Sequence, residues 1–197
     1  MRTWKYIALS LLVSFSGVTQ AQQTNAGGRH SAEAALSNDT LQLRYVGGGE
    51  MVDVDRSRVS AAFFLSEERD IVLSADMLFP ANLRLGPTTI LFGPRVYAAL
   101  LEEENNDVMS LSVGTEIRFD LNRRSGLALV GHAFYGPDIL TFGSADSLTD
   151  LSARVELRVA PRLTAFGGMR WFEFDLTEGG GERTLQEELF AGFGWRF

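Results

Sequence analysis

Apolar and polar residues alternate one by one along most of the chain, which is the period of a β-strand with two unlike faces. The clearest stretch is residues 108–121, where odd positions such as Ile117 are mostly apolar and even positions such as Glu116 are polar or small. The same alternation returns at 150–159 and at 185–197. The pattern predicts an all-β chain built from amphipathic antiparallel strands.

Eight strands can be counted backwards from the C-terminus. Two stretches, 97–105 and 184–189, have a helix-favouring composition, but the alternation around them favours strands. The eight predicted strands are 184–197, 163–175, 150–160, 126–136, 107–121, 88–101, 70–79 and 58–65.

Residues 31–46 decide the total number of strands. Their apolar positions are even-numbered before Ser37 and odd-numbered after Asp39. A turn between the two halves would give two short strands and ten in all, whereas a bulge would give one strand and nine in all. Because a transmembrane barrel with both termini on one side needs an even number, we expect ten strands, with eight as the alternative.

The predicted connections form a shorter and a longer set. Short turns at one end and longer loops at the other are typical of an outer-membrane β-barrel, so we expect that asymmetry here. The shorter connections are 80–87, 121–125 and 160–162, and the longer or more acidic ones are 66–70, 102–107, 137–149 and 177–183.

The first residues have the pattern of a secretory signal peptide. Arg2 and Lys5 form a positive start, residues 6–18 are mostly apolar, and a small-residue cleavage site ends at Ala21. The apolar run is too short to span a membrane as a helix, which needs about 20 residues. The predicted segments are a signal peptide over 1–21, a flexible mature N-terminus over 22–30 and an outer-membrane β-barrel over 31–197.

The composition narrows the class of protein further. The chain has 197 residues, 45% of them hydrophobic, and no cysteine, which excludes a disulfide scaffold and thiol chemistry. Its net charge of −7 argues against a nucleic-acid partner. Lys5 is the only lysine in the sequence, so the mature chain carries only arginine cations, which suit buried pairs with carboxylates.

The two strand faces allow two interpretations. In a soluble barrel or sandwich the apolar face packs inward, whereas in an outer-membrane barrel it meets lipid and the polar face lines the interior. We expect the second arrangement, with a charge network inside the barrel. Its expected members are Arg95, Glu116, Arg118, His132, Arg154, Glu156, Arg158, Arg170, Glu188 and Arg196.

Aromatic residues near the predicted strand ends support the membrane interpretation. If the C-terminus is periplasmic, Phe79 and Phe119 fall near the periplasmic rim, and Tyr135 and Trp171 fall near the outer rim. Two such aromatic girdles mark the membrane interfaces of a barrel.

The last predicted strand carries a candidate assembly signal. Phe193, Trp195 and Phe197 share its apolar face, and the chain ends on Phe197. This strand resembles the C-terminal signal that the barrel-assembly machinery reads, so we expect that machinery to be a partner of the unfolded chain.

Several stretches resemble the YfaZ family of Gram-negative outer-membrane proteins. They are residues 135–143 (YGPDILTFG), 150–157 (DLSARVEL) and 36–40 (LSNDT). The similarity runs over nearly the whole mature chain, and the loop around Pro137 and Asp138 is its most specific part. The resemblance implies a small outer-membrane barrel and supplies no catalytic residues.

The candidates for chemistry are few. His30 lies in the predicted flexible segment, and His132 falls on the inward face, where we expect it to form interior hydrogen bonds. Asp138, Asp146 and Asp150 could gather around a calcium ion, but their spacing matches no known calcium loop. We therefore predict no catalytic residue, no cofactor and no metal site.

The sequence is most consistent with a monomeric outer-membrane barrel that has a structural, porin-like or interaction role among outer-membrane lipids. Side chains fill or nearly fill an interior of this size, so we do not expect a wide diffusion pore. Two alternatives stay open at this point: a soluble secreted lipocalin-like or β-sandwich binding protein, and a membrane-embedded barrel enzyme.

Overall fold

A computed structural model describes residues 30–54, 56–67, 69–81, 86–101, 106–122, 124–176 and 182–197. The predicted signal peptide and residues 22–29 lie outside the described residues. No helix in the described part of the chain is long and apolar enough to cross a membrane.

The described residues form strands joined by short connections, two of which contain 3₁₀ helices, at Gly49–Val52 and Asp138–Leu140. The alternation of apolar and polar residues favours strands because each strand can place its apolar side chains on one face and its polar side chains on the other. The strands are β1 (Ser31–Leu36), β2 (Thr40–Gly48), β3 (Arg58–Ser66), β4 (Ile71–Pro80), β5 (Thr88–Leu101), β6 (Asn106–Asn122), β7 (Leu127–Gly136), β8 (Thr141–Gly143), β9 (Ala145–Ala160), β10 (Leu163–Leu176) and β11 (Glu182–Arg196).

Ten of these strands close into an antiparallel barrel. Each pairs with the next along the chain, β7 pairs with β9, and β11 returns to pair with β1. The short β8 extends the wall beyond β7 by pairing with β6. The turn at Ser37 is therefore real, and the expectation of ten strands is confirmed.

Both ends of the described chain meet at one end of the barrel, here called the lower end. The backbone N–H of Phe197 donates to the carbonyl oxygen of His30 over 3.0 Å. The Tyr45 hydroxyl lies 2.7 Å from Nδ1 of His30, and the three rings are grouped together. The contacts with Tyr45 and Phe197 hold His30 at the barrel seam. His30 is therefore not part of a flexible segment.

The polarity of the wall is that of a membrane protein. Outward-facing Ile117, Leu157 and Trp195 are exposed, the last of them by 51%. Inward-facing Glu116 is only 7% exposed. A soluble lipocalin-like barrel needs the opposite arrangement, since its apolar side chains must leave water.

The prediction that short turns lie at one end of the barrel and longer loops at the other is wrong. The lower end carries 49–57, 81–87, 123–126 and 161–162, and the upper end carries 37–39, 67–70, 102–105, 137–144 and 177–181, so neither set is consistently longer. One reason is that β9 begins at Ala145, inside the predicted 137–149 loop, and shortens that connection. Another is that 49–57 folds on itself, with the Gly49 N–H donating to the Ser57 carbonyl oxygen.

The prediction that Leu185 in the last strand faces outward is also wrong. Alternation places Leu185 on the outer face with Leu189, but the pairing of β10 with β11 shifts after Phe172. Gln186 lies opposite Phe172 and Thr184 lies opposite Glu173, so Leu185 is the extra residue of a β-bulge. A bulge reverses the face of one side chain, and Leu185 consequently lies inside the barrel, 6% exposed.

The outward position of Val155 gives the first prediction. Its side chain is exposed on β9 between Leu129 of β7 and Gly167 of β10. Val155→Arg should lower the free energy of unfolding in lipid vesicles by about 2–4 kcal/mol, because an arginine near the bilayer midplane meets hydrocarbon. Urea titration checks this, with Ile139→Arg in the exposed upper connection as the matched control. Equal costs for the two variants would contradict a lipid-facing Val155.

Candidate functional site

The interior of the barrel holds the densest polar cluster among the described residues, and ion pairs join its members into two chains. The first chain crosses the lumen through seven side chains, and the second connects β1, β9 and β6 through five. In order of contact, the first is Arg58, Glu116, Arg44, Asp76, Arg95, Asp150 and Arg170, and the second is Glu33, Arg154, Glu156, Arg118 and Asp120.

Asp150 is the hub of the first chain and is fully buried. Arg170 donates to both of its carboxylate oxygens, at 2.8 and 2.9 Å. Arg95 and the Tyr97 hydroxyl donate to Oδ2 at 3.2 and 2.7 Å. These donors come from β5 and β10, so one carboxylate on β9 ties three strands together.

Asp76 and Glu116 continue the first chain across the lumen. Asp76 accepts from Arg95 at 2.8 Å and lies 3.5 Å from Arg44. Arg58 of β3 makes a two-pronged contact with Glu116 of β6. Arg58 and Glu116 lie on strands that are not neighbours in the wall, so their pair fills the lumen as well as neutralising both charges. Asp76 and Arg95, in contrast, face each other on the neighbouring strands β4 and β5.

The second chain is shorter and lies closer to the lower end. Arg154 donates to Glu33 at 2.9 Å and to Glu156 at 2.7 Å. Arg118 connects Glu156 to Asp120. Together the two chains hold six arginines and six carboxylates among the described residues, so their formal charges cancel.

Four of the ten predicted network residues are not members of these chains, although one of them, His132, contacts Asp150 of the first chain. Arg158 and Arg196 lie exposed at the lower end of the barrel. Glu188 instead accepts hydrogen bonds from the Ser37 hydroxyl and the Asn38 N–H, at 2.8 and 3.2 Å. Each of these three residues, Arg158, Arg196 and Glu188, lies at a height along its strand that is outside the paired central layer.

Several network members are missing from the sequence prediction. Glu33, Arg44, Arg58 and Asp76 all lie on inward faces that alternation could have assigned. Their strands, β1 to β4, are at most ten residues long, so their patterns are short. Asp120 and the hub Asp150, on the long strands β6 and β9, are missing from the predicted network as well. Which arginine meets which carboxylate depends on the cross-lumen register, which the pattern of one strand does not contain.

Above the ionic layer, towards the upper end, the interior holds a cluster of buried apolar side chains. Arg95 lies 3.7 Å from the centroid of Phe134, and Arg170 lies 4.4 Å from that of Phe172, so aromatic faces meet the guanidinium groups. The apolar layer consists of Phe64, Val72, Tyr97, Ala99, Leu101, Val108, Ala145, Leu148, Phe172, Phe174, Leu176 and Leu185. We call it the upper apolar layer.

His132 has the partners of a nucleophilic triad but lacks the space for a substrate. Its Nε2 lies 3.2 Å from Asp150 and its Nδ1 lies 3.1 Å from the Ser152 hydroxyl. The adjoining cavity measures about 30 Å³, room for one or two water molecules. Asp150 is moreover already bound by two arginines, so the arrangement positions a buried histidine and provides no site for acyl transfer.

The three aspartates considered for calcium are not brought together. Asp138 and Asp146 are exposed near the upper end, whereas Asp150 lies inside the ionic layer. Within the described ranges, no group of three or more histidine, cysteine, aspartate or glutamate side chains could hold a metal ion.

The predicted girdle and signal residues all lie on the outer face. Phe79 and Phe119 are near the lower ends of β4 and β6, and Tyr135 is near the upper end of β7. Trp171 lies in the upper half of β10, and its indole N–H donates to outward-facing Glu173 at 2.8 Å. The outer-face residues of the last strand, Phe193, Trp195 and Phe197, are all exposed.

This geometry defines the class of protein. A closed antiparallel barrel with an apolar outer surface and paired charges inside is a transmembrane β-barrel of the outer-membrane type, porin-like in architecture. A family model described as YfaZ precursor matches residues 7–197. The chain belongs to this family, and it resides in the outer membrane.

Two solved structures align with the chain at low similarity. One is described as a NanC porin in a rhombohedral crystal form, with a TM-score of 0.39 and 8% identity over 87% of this chain and 99% of that one. The other is a major outer membrane protein from Thermus thermophilus, with a TM-score of 0.34 and 13% identity over 87% of this chain and 100% of that one. A comparison with curated proteins finds no match.

The hub position of Asp150 gives the second prediction. Asp150→Asn should lower the free energy of unfolding by about 3–5 kcal/mol, because Arg95 and Arg170 lose the charge that pairs them in a buried site. Asp138→Asn, at an exposed position, makes the same chemical change and should stay within about 0.5 kcal/mol. Urea unfolding of both variants in vesicles measures the difference. If Asp150→Asn matched its control, the ionic layer would not hold the barrel together.

Proposed function

We propose that this protein is a monomeric outer-membrane barrel with a structural or interaction role, whose lumen is closed along its axis. The observation that carries the proposal is the succession of two filled layers inside the wall. A solute entering from the lower end meets paired arginines and carboxylates, and beyond them it meets the upper apolar layer.

The ionic layer closes the lumen because its charges are committed to each other. Asp150 and Asp76 each contact two arginines, so an ion passing through would have to displace existing partners. Separating a buried pair leaves an uncompensated charge and is costly. Since the two chains are neutral together, they also supply little net field to attract an ion of either sign.

The upper apolar layer closes the lumen to polar solutes by a different mechanism. Phe172, Phe174 and Leu148 are completely buried at its centre. Water and ions find no hydrogen-bonding partner among such side chains, and entry would cost the solute its hydration. Opening the lumen would therefore require both layers to rearrange.

The exposed aromatic side chains of β11 fit a role in membrane assembly. Phe193, Trp195 and Phe197 face outward, where a recognising surface can reach them before the seam with β1 closes. We propose that the barrel-assembly machinery reads this strand, and that the signal peptide over 1–21 directs the chain to export.

Electrical recording tests the closed lumen directly, and it gives the third prediction. The purified protein reconstituted in planar bilayers should show no stable open-channel current, and vesicles that contain it should not swell in a small sugar. A general-diffusion porin reconstituted in the same way is the positive control. A difference in gel mobility between boiled and unboiled samples shows that the barrel is folded. Steady ohmic conductance from the folded protein would overturn the proposal.

A further inference from the structure

The barrel wall has a step at the seam between its first and last strands. β1 ends at Leu36, which lies opposite Ala191 of β11. The upper part of β11, from Glu182 to Phe190, continues beyond that point and pairs only with β10. The turn between β1 and β2 therefore forms the floor of an opening beside the free edge of β11.

Four hydrogen bonds frame this opening. Glu188 accepts hydrogen bonds from Ser37 and Asn38 at the floor. Towards the upper end, Arg183 donates to Asp70 at 3.0 Å and so connects β11 with the β3–β4 connection. On the side opposite β11, the Glu67 N–H donates to the Asp39 carbonyl oxygen at 2.7 Å.

The framed opening is a cleft of about 460 Å³, within the range of about 300–1,000 Å³ that small-molecule sites occupy. Among the described residues that line it, four carry carboxylates and none is cationic, and Arg183 at its upper edge is paired with Asp70. Its lining residues are Asp39, Ser66, Glu67, Thr184, Leu185, Gln186, Glu187 and Glu188.

The inner end of the cleft meets the upper apolar layer at the β-bulge. Leu185 lines the cleft and also belongs to that layer, with Phe64, Phe172 and Phe174. Its neighbour Gln186 is only 4% exposed, lines the cleft, and makes no side-chain hydrogen bond among the described residues. A buried amide without a partner leaves hydrogen-bonding capacity that a ligand could satisfy.

We propose that this cleft binds a hydrophobic cation. Its carboxylates favour a positive charge, and its inner end meets the upper apolar layer at Leu185, next to which the apolar part of the molecule would lie. An anionic lipid headgroup would meet four carboxylates, and a bare metal ion would find no set of coordinating side chains among the described residues. The site opens through the wall, so it does not depend on whether the lumen conducts.

Tetraphenylphosphonium and tetraphenylborate test the proposal, because they are closely similar in shape and opposite in charge. An ion-selective electrode measures the free ion in the presence of nanodiscs with and without the protein. We expect saturable binding of tetraphenylphosphonium beyond the empty discs, and none of tetraphenylborate. Glu67→Gln/Glu187→Gln should weaken the binding about fivefold. Glu50→Gln/Asp53→Asn, at the lower end, removes the same charge and should leave it unchanged.

Because the chain has no cysteine, a blocking experiment locates the bound ion. Thr184→Cys carrying a bulky maleimide should abolish the saturable binding, whereas Ile139→Cys with the same label should not. Gel mobility of unboiled samples verifies that each variant is folded. The proposal fails if the protein adds no saturable binding, if both ions bind alike, or if the cleft variants behave as their controls do.

Discussion

Hydrocarbon offers no hydrogen bonds, and this constraint governs the whole structure. It requires the backbone groups that face hydrocarbon to pair within the sheet, and at the seam the pairing of β1 with residues 191–196 of β11 meets this requirement. It also sends the apolar side chains outward, so arginines and carboxylates from eight of the strands are left in a narrow interior. There a charge must find a partner, and the two chains of ion pairs are the result.

The same constraint gives the two ends of the barrel different interiors. The ionic layer ties non-neighbouring strands together through the Arg95–Asp150 and Arg58–Glu116 pairs, and the upper apolar layer fills the remaining height with apolar side chains. Rings and guanidinium groups meet at the boundary, where each provides the other with a favourable face. Because the lumen is filled, the accessible surface lies on the wall, where the step beside β11 forms the acidic cleft.

Alternation predicts most of the fold because a membrane strand has only two faces. It locates all ten strands and the inward direction of Arg95, Glu116, Arg154 and Arg170. It fails where one residue breaks the period, since the bulge that turns Leu185 inward depends on the pairing of β10 with β11.

The ionic partners and the upper apolar layer could be predicted less well, for a related physical reason. Arg58 and Glu116 are 58 residues apart and meet only because the closed wall brings β3 and β6 to face each other. Phe172 shares the inward face of Arg170, but its contacts with the rings of Phe64 and Tyr97 likewise depend on the closed wall. These contacts depend on the closed sheet, so the pattern of a single strand does not predict them.

The accessibility of consecutive positions on β9 tests the central claim most directly. Nitroxide labels at residues 151–157, in lipid vesicles, would be exposed in turn to oxygen, which dissolves in hydrocarbon, and to a nickel chelate, which stays in water. The account predicts frequent oxygen collisions at 151, 153, 155 and 157, and few collisions with either reagent at 152, 154 and 156. Nickel collisions at the even positions, with the odd positions shielded from both reagents, would contradict it.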